Sequence, residues 1–203
     1  IKHLFTASTH DCLLIFTSRG KCYWLKVYDI PSMSRQSKGR NIVNLLQMGD
    51  QKIASIIPVG GMGEEDESKD GRELVMATSN GVIKKTKLIA YSHPRSTGVT
   101  AIKLDPNDDL IGVAMTTGNN QIVLGTRDGM VIRFKESQVR SMGRVSRGVK
   151  GIKLRPKDTV VGMVITEEKS SLLTVCENGY GKRTGLENYR SQSRGGVGLI
   201  NIK

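Results

Sequence analysis

The chain has 203 residues, 37% hydrophobic and 25% charged, which is enough apolar material for a real core in a soluble globular protein. Its net charge of +12 directs attention to polyanionic partners, and no apolar stretch reaches membrane-spanning length. Three cysteines without a C-x-x-C spacing and three isolated histidines argue against a disulfide framework or a metal site and favour a reduced, intracellular protein.

The chain opens on Ile1-Lys2-His3-Leu4-Phe5, neither a signal peptide nor an initiator, so a fragment of a longer array is expected. A first unit, 8–58, begins with the apolar run 13–16, turns at Ser18-Arg19-Gly20 and continues through Trp24 to Lys26. A loop carrying Arg35, Lys38 and Arg40 follows, then expected strands at 42–46 and 53–57. Next comes a Gly-rich acidic insert, 61–71, which reads as a solvated surface loop.

The second unit, 72–116, repeats the order: an apolar run at 74–77, the turn Ser79-Asn80-Gly81, then Lys85 and Lys87. Its loop carries Arg95, and strands are expected at 101–104 and 110–114. In the third, 121–166, the run is 122–125, the turn Arg127-Asp128-Gly129 and the strand cations Arg133 and Lys135. Arg144, Arg147 and Lys150 lie in its loop, before expected strands at 151–154 and 160–164. The fourth, 171–203, has the run 172–175, the turn Glu177-Asn178-Gly179, Lys182 and Arg183, a loop with Arg194, and an expected strand at 198–202.

The turn glycines are 61, 48 and 50 residues apart, with the insert accounting for the long first step. About four strands in roughly 50 residues is the pattern of propeller-like blades, and the fold class is all-β. Asn, Asp and Gly at these turns tolerate the positive φ that hairpins need. Counted from each glycine, the fourth residue is Trp24, Lys85, Arg133 or Arg183 and the sixth Lys26, Lys87, Lys135 or Gly185. Positions two apart share a strand face, so paired cations recur on one side of the sheet.

No phosphate-binding loop or dinucleotide fingerprint is present. Asp105-Pro106-Asn107-Asp108-Asp109 has the look of a calcium loop, but Leu110 stands where glycine is required and Thr116 where the closing glutamate belongs. A β-turn is expected there. The residues point to a binding scaffold without catalytic machinery.

The run Val131-Ile132-Arg133-Phe134-Lys135-Glu136-Ser137-Gln138-Val139-Arg140-Ser141-Met142-Gly143 strongly resembles the C-terminal domain of DNA gyrase A. So do Asn178-Gly179-Tyr180-Gly181-Lys182-Arg183-Thr184, Asn41-Ile42-Val43-Asn44-Leu45-Leu46 and Asn80-Gly81-Val82-Ile83-Lys84-Lys85-Thr86. The resemblance implies a β-pinwheel whose neighbouring blades exchange strands and whose basic rim wraps duplex DNA. It also implies a bacterial cytoplasmic, nucleoid-associated type IIA topoisomerase as parent. The rest of gyrase A, together with gyrase B, would be partners in an A2B2 assembly, and no membrane would be involved. The domain itself would carry no cofactor, with ATP and Mg2+ used by the parent. The family's strand-cleaving tyrosine lies outside this domain, so Tyr23, Tyr28, Tyr91, Tyr180 and Tyr189 are not assigned that role.

One family hallmark, the box Gln-Arg-Arg-Gly-Gly-Lys-Gly, is not present; the nearest string, Gln192-Ser193-Arg194-Gly195-Gly196-Val197-Gly198, lacks two of its cations. The equivalent domain of topoisomerase IV and a protein-binding β-propeller are the competing readings. Wrapping requires a repeated set of cations, because bending a short duplex costs on the order of 1–6 kcal/mol and must be offset along the whole path. The candidate set is Lys26, Lys85, Lys87, Arg133, Lys135, Lys182 and Arg183 on strands, with the loop cations named above.

Overall fold

The computed structural model describes residues 3–60 and 71–202. All but one residue of the acidic insert, 61–70, therefore lies outside the described residues. The first hairpin is β1 (Cys12–Thr17) and β2 (Lys21–Lys26), with β3 (Ile53–Val59) added on the other side of β1. The second unit repeats this with β4 (Glu73–Thr78), β5 (Val82–Lys87), the two-residue β6 (Val99–Thr100) and β7 (Leu110–Thr116). The third contains β8 (Gln121–Thr126), β9 (Met130–Lys135), β10 (Val149–Lys150) and β11 (Val160–Thr166). The fourth contains β12 (Ser171–Val175), β13 (Gly181–Gly185) and β14 (Leu199–Ile200).

The sheets do not follow the units. Their orders are β3-β1-β2-β6, β10-β5-β4-β7, β11-β8-β9-β14 and β12-β13. Each four-stranded sheet is thus completed by a two-residue strand from the next unit, which is strand exchange between blades. The exchange strands start at 99, 149 and 199, an exact step of 50 residues. They precede the strands expected at 101–104 and 151–154, and only the first part of 198–202 is strand. The segment expected as a strand at 42–46 contains a 3-10 turn, Ile42–Asn44, and no described strand pairs with it. Three blades are four-stranded and the fourth is a hairpin.

Sheet stacking explains why the first strands read as continuous apolar runs. Leu74 and Met76 enter a core shared with Leu14 and Phe16, while Val75 and Ala77 enter the next core with Ile122 and Leu124. Strands buried on both faces need apolar residues at every position, not at alternate ones. Phe16 meets Tyr91 edge-on across the first boundary, with centroids 5.8 Å apart and planes at 79°. The inner strands β3, β7 and β11 pack successively against one another. β12 is covered on one side, so Leu173 and Val175 stay exposed.

Each turn is fixed by its own short bonds. Thr17, Thr78 and Thr126 are buried, and each carbonyl accepts from the turn glycine three residues on, at 2.9, 3.0 and 3.1 Å. Their hydroxyls accept from the amides of Lys21, Val82 and Met130. The turn glycine then receives the next unit. The carbonyl of Gly20 accepts from Ala101 at 2.8 Å, that of Gly81 from Gly151 at 2.8 Å, and that of Gly129 from Asn201 at 2.8 Å. A buried aspartate closes two of the turns: Asp108 accepts from Ser79 Oγ at 2.8 Å and the Asn80 amide at 2.9 Å, and Asp158 from the Asp128 amide at 3.0 Å. In the loop that has the look of a calcium site, Asp108 is thereby committed to a turn, while Asp105 and Asp109 pair with Arg147 and Arg19.

Candidate nucleic-acid interface

The outer edge of each of the first three blades is built from the basic loop of the following unit. Along β5 the covering chain runs from Ser141, bridged to Lys85, through the Met142 amide on the Lys85 carbonyl at 2.8 Å, to β10 paired with Val82 and Ile83. Along β9 it runs from the Gln192 amide on the Arg133 carbonyl at 2.8 Å to β14. These loops have little apolar content because they lie over an edge, satisfying ladder groups and leaving side chains in solvent. Successive edge segments also bond to each other, Lys103 N to Ser146 O at 3.2 Å and Lys153 N to Gly196 O at 2.8 Å. The rim is a continuous strip of backbone running from blade to blade.

The expected cations separate into two groups. Lys26, Lys87 and Lys135 are the last residues of β2, β5 and β9, and all three are exposed. Arg35, Lys38, Arg40, Arg95, Arg147, Lys150, Lys182 and Arg183 are exposed as well. Lys26 Nζ bonds the Tyr28 hydroxyl at 3.2 Å, and Arg147 pairs with Asp105 at 2.6 Å. Arg144 and Arg194 are half-buried. Arg194 spends its guanidinium on the carbonyls of Gln138, at 3.0 Å, and Lys150, at 3.1 Å, fastening one edge segment to the next.

Lys85 is buried and Arg133 half-buried, where the strand pattern predicts both on an open face. Lys85 is 7% exposed and lies 2.9 Å from Glu73 and 3.0 Å from Glu136. Arg133 donates to the carbonyls of Leu186 at 2.7 Å and Tyr189 at 3.2 Å. The fourth position after the turn glycine faces the following blade, where a 3-10 turn begins at Leu88, Glu136 or Leu186. The joint is apolar around Trp24 and Leu88, ionic at Lys85 and Glu136, and cation-to-carbonyl at Arg133. Glu136 is fully buried where the other two joints have leucine. Burial pushes its carboxyl up, but donation from the Thr116 hydroxyl, Lys85 and the Asn120 amide outweighs this and holds it below the usual range.

Lys84 is a second buried cation, donating to the carbonyls of Ala101, at 2.6 Å, and Arg144. Burial, with the Arg144 charge adding to it, lowers its pKa to about 8. A folded value below the unfolded one means that the folded state releases the proton first. Stability is therefore expected to rise relative to a Lys84→Met variant as pH climbs from about 8 to about 10.5, the unfolded value. Paired denaturant titrations at pH 7.5 and 10 measure this, and a pH-independent difference between the two proteins refutes it.

The sequence reading also missed Lys103 and Lys153, both exposed and 50 residues apart. The signal was the repeated Ile-Lys-Leu of 102–104 and 152–154, whose central lysine points outward while the isoleucines are buried. Among the described residues no cluster of three or more His, Cys, Asp or Glu could hold a metal ion, and no helix is long and apolar enough to cross a membrane.

The family profile described as "DNA gyrase C-terminal domain, beta-propeller" matches residues 13–59, 72–117, 120–167 and 170–203. The chain belongs to this gyrase C-terminal domain family. DNA gyrase A of Salmonella typhimurium is 46% identical over 204 aligned residues, covering 100% of this chain and 23% of that protein. The chain therefore spans about a quarter of the length of such relatives. A crystal structure of the C-terminal domain of DNA topoisomerase IV overlays with a TM-score of 0.84 at 28% identity, covering 95% of this chain and 58% of that one. A structure of a DNA gyrase A C-terminal domain overlays with a TM-score of 0.76, also at 28% identity, covering 95% and 60%. The gyrase-family domain thus has a pinwheel architecture here, with strands exchanged between blades.

Proposed function

We propose that this chain is the DNA-wrapping domain of a gyrase A protein, holding a bent duplex against the outer edge of its blades. The observation that carries the reading is the edge itself: in three successive sheets the outermost strand comes from the next unit's loop, and exposed cations accompany the first two of these segments, Arg95 and Lys103 in one and Arg147, Lys150 and Lys153 in the other. Cations along a continuous curved strip neutralise consecutive phosphates and release counterions, offsetting the bending cost without reading bases. In the parent enzyme the wrap would set the crossing that strand passage converts into negative supercoils. Catalysis, ATP and Mg2+ would be located in the rest of gyrase A and in gyrase B, in an A2B2 assembly in the bacterial cytoplasm at the nucleoid. No cofactor is assigned to the domain.

The test is duplex binding by the 203-residue chain across a salt series. Affinity is expected to fall linearly on a log–log plot, with a slope of about −0.9 per phosphate contacted and little dependence on sequence. Ligase closure of nicked circles with the chain bound should shift the topoisomer distribution. Salt-insensitive or absent binding would favour a protein-binding propeller, and salt-dependent binding without a topoisomer shift would favour the weaker wrapping expected of the topoisomerase IV equivalent.

A further inference from the structure

The rim is not uniformly charged. In the third unit's edge segment, 144–157, Arg144, Arg147, Lys150, Lys153, Arg155 and Lys157 supply six cations with no acid among them. The matching segment of the second unit, 94–107, has Arg95 and Lys103 against Asp105. That of the fourth, 194–202, has Arg194, which is spent on backbone carbonyls. Lys150, Lys153, Arg155 and Lys157 are exposed and have no ion-pair partner among the described residues. Among the described residues the one acid paired with the segment is Asp105, which bonds Arg147 and comes from the preceding unit's edge.

The backbone beneath these side chains is held firmly. β10 pairs with β5, the Gly151 amide bonds the Gly81 carbonyl at 2.8 Å, Ile152 is buried, and Arg127 donates to the carbonyl of Lys157. Four cations with no ion-pair partner among the described residues, carried on a fixed backbone, lose little freedom of the main chain when they meet phosphate.

We propose that segment 144–157, which runs from the outer edge of the second blade at β10 to the β8–β9 turn of the third, is the principal anchor for the duplex, with the other blades adding weaker contacts along the path. This rests on the wrapping reading above. It assigns phosphate contacts to Lys150, Lys153, Arg155 and Lys157, and it ranks the strand-end lysines Lys26, Lys87 and Lys135 below them.

Two triple variants of the 203-residue chain decide it, measured by duplex binding over a salt series and by melting to confirm folding. Lys150→Gln/Lys153→Gln/Arg155→Gln is expected to weaken binding on the order of 10- to 100-fold and to reduce the salt slope by about 3. Lys26→Gln/Lys87→Gln/Lys135→Gln removes the same charge and is expected to cost less than about 3-fold with a slope change below about 1. Equal losses, or a larger loss in the second triple, would overturn the anchor while leaving wrapping intact. Absence of duplex binding by the unaltered chain would overturn the wrapping reading itself, and the anchor with it.

Discussion

Replacing Lys85 with methionine is expected to cost the fold ~3–5 kcal/mol, far above an ordinary strand substitution, because it leaves a carboxylate buried without its cation. Glu136 is fully buried, and Lys85 reaches it at 3.0 Å from the preceding blade. The remaining donors on Glu136, the Thr116 hydroxyl and the Asn120 amide, do not neutralise it. Glu136→Leu alone should be milder, since Lys85 keeps Glu73 at 2.9 Å. The double variant Lys85→Met/Glu136→Leu should recover most of the loss, because leucine already begins the 3-10 turn at 88 and 186. A double-mutant cycle by denaturant unfolding measures the coupling, and a coupling below ~0.5 kcal/mol would refute the ionic joint. The pH dependence has a definite sign. Glu136 is held below its unfolded value, so its contribution is full above about pH 4.3 and is lost as pH falls through the folded value. The double variant should lack that acid limb.

The same position shows where sequence periodicity stops informing. A period of two places Lys85 with Lys87 and Arg133 with Lys135 on one strand face, and the structure keeps that geometry. What the period cannot supply is which part of that face the next blade covers. At the last strand residue, Lys87 and Lys135 clear the neighbour; two residues earlier, Lys85 and Arg133 run into its 3-10 turn. Arg183 stands free at the equivalent place because no described blade follows β13. Glu136 was invisible for the same reason, since a single acid among polar neighbours reads as solvated until its leucine counterparts are aligned by structure. The blade count, the hairpin turns and the doubly buried first strands were legible because each rests on local chemistry. The exchange strands were displaced in the reading because two-residue strands have almost no periodicity, and their pairing is set by the preceding unit's turn.

That dependence on the turn makes a contrast between two glycines informative. Gly20 and Gly179 occupy the same place in their hairpins, with φ of +74° and +82°. Alanine at either should cost about 1–2 kcal/mol for the left-handed backbone alone. At Gly20 a Cβ would also lie 2.6 Å from the carbonyl oxygen of Ile102 and 3.0 Å from its side chain, whereas at Gly179 no described residue lies within 4 Å. The obstruction is backbone of the exchange segment, held by the amides of Ala101 and Ile102 on the Gly20 carbonyl, so it cannot yield without loosening β6 from β2. Gly20→Ala is therefore expected to cost on the order of 3 kcal/mol or more, and Gly179→Ala about half of that. Hydrogen exchange locates the damage: in Gly20→Ala the amides of Ala101 and Ile102 should lose protection, while those of β1 stay protected. Equal costs for the two substitutions would mean that the turn glycines are required for their φ alone, and that docking of the next unit adds nothing to the requirement. Unequal costs would make each turn glycine a receptor for the following blade, so that the edge that presents the cations and the hairpin that marks the repeat depend on one residue.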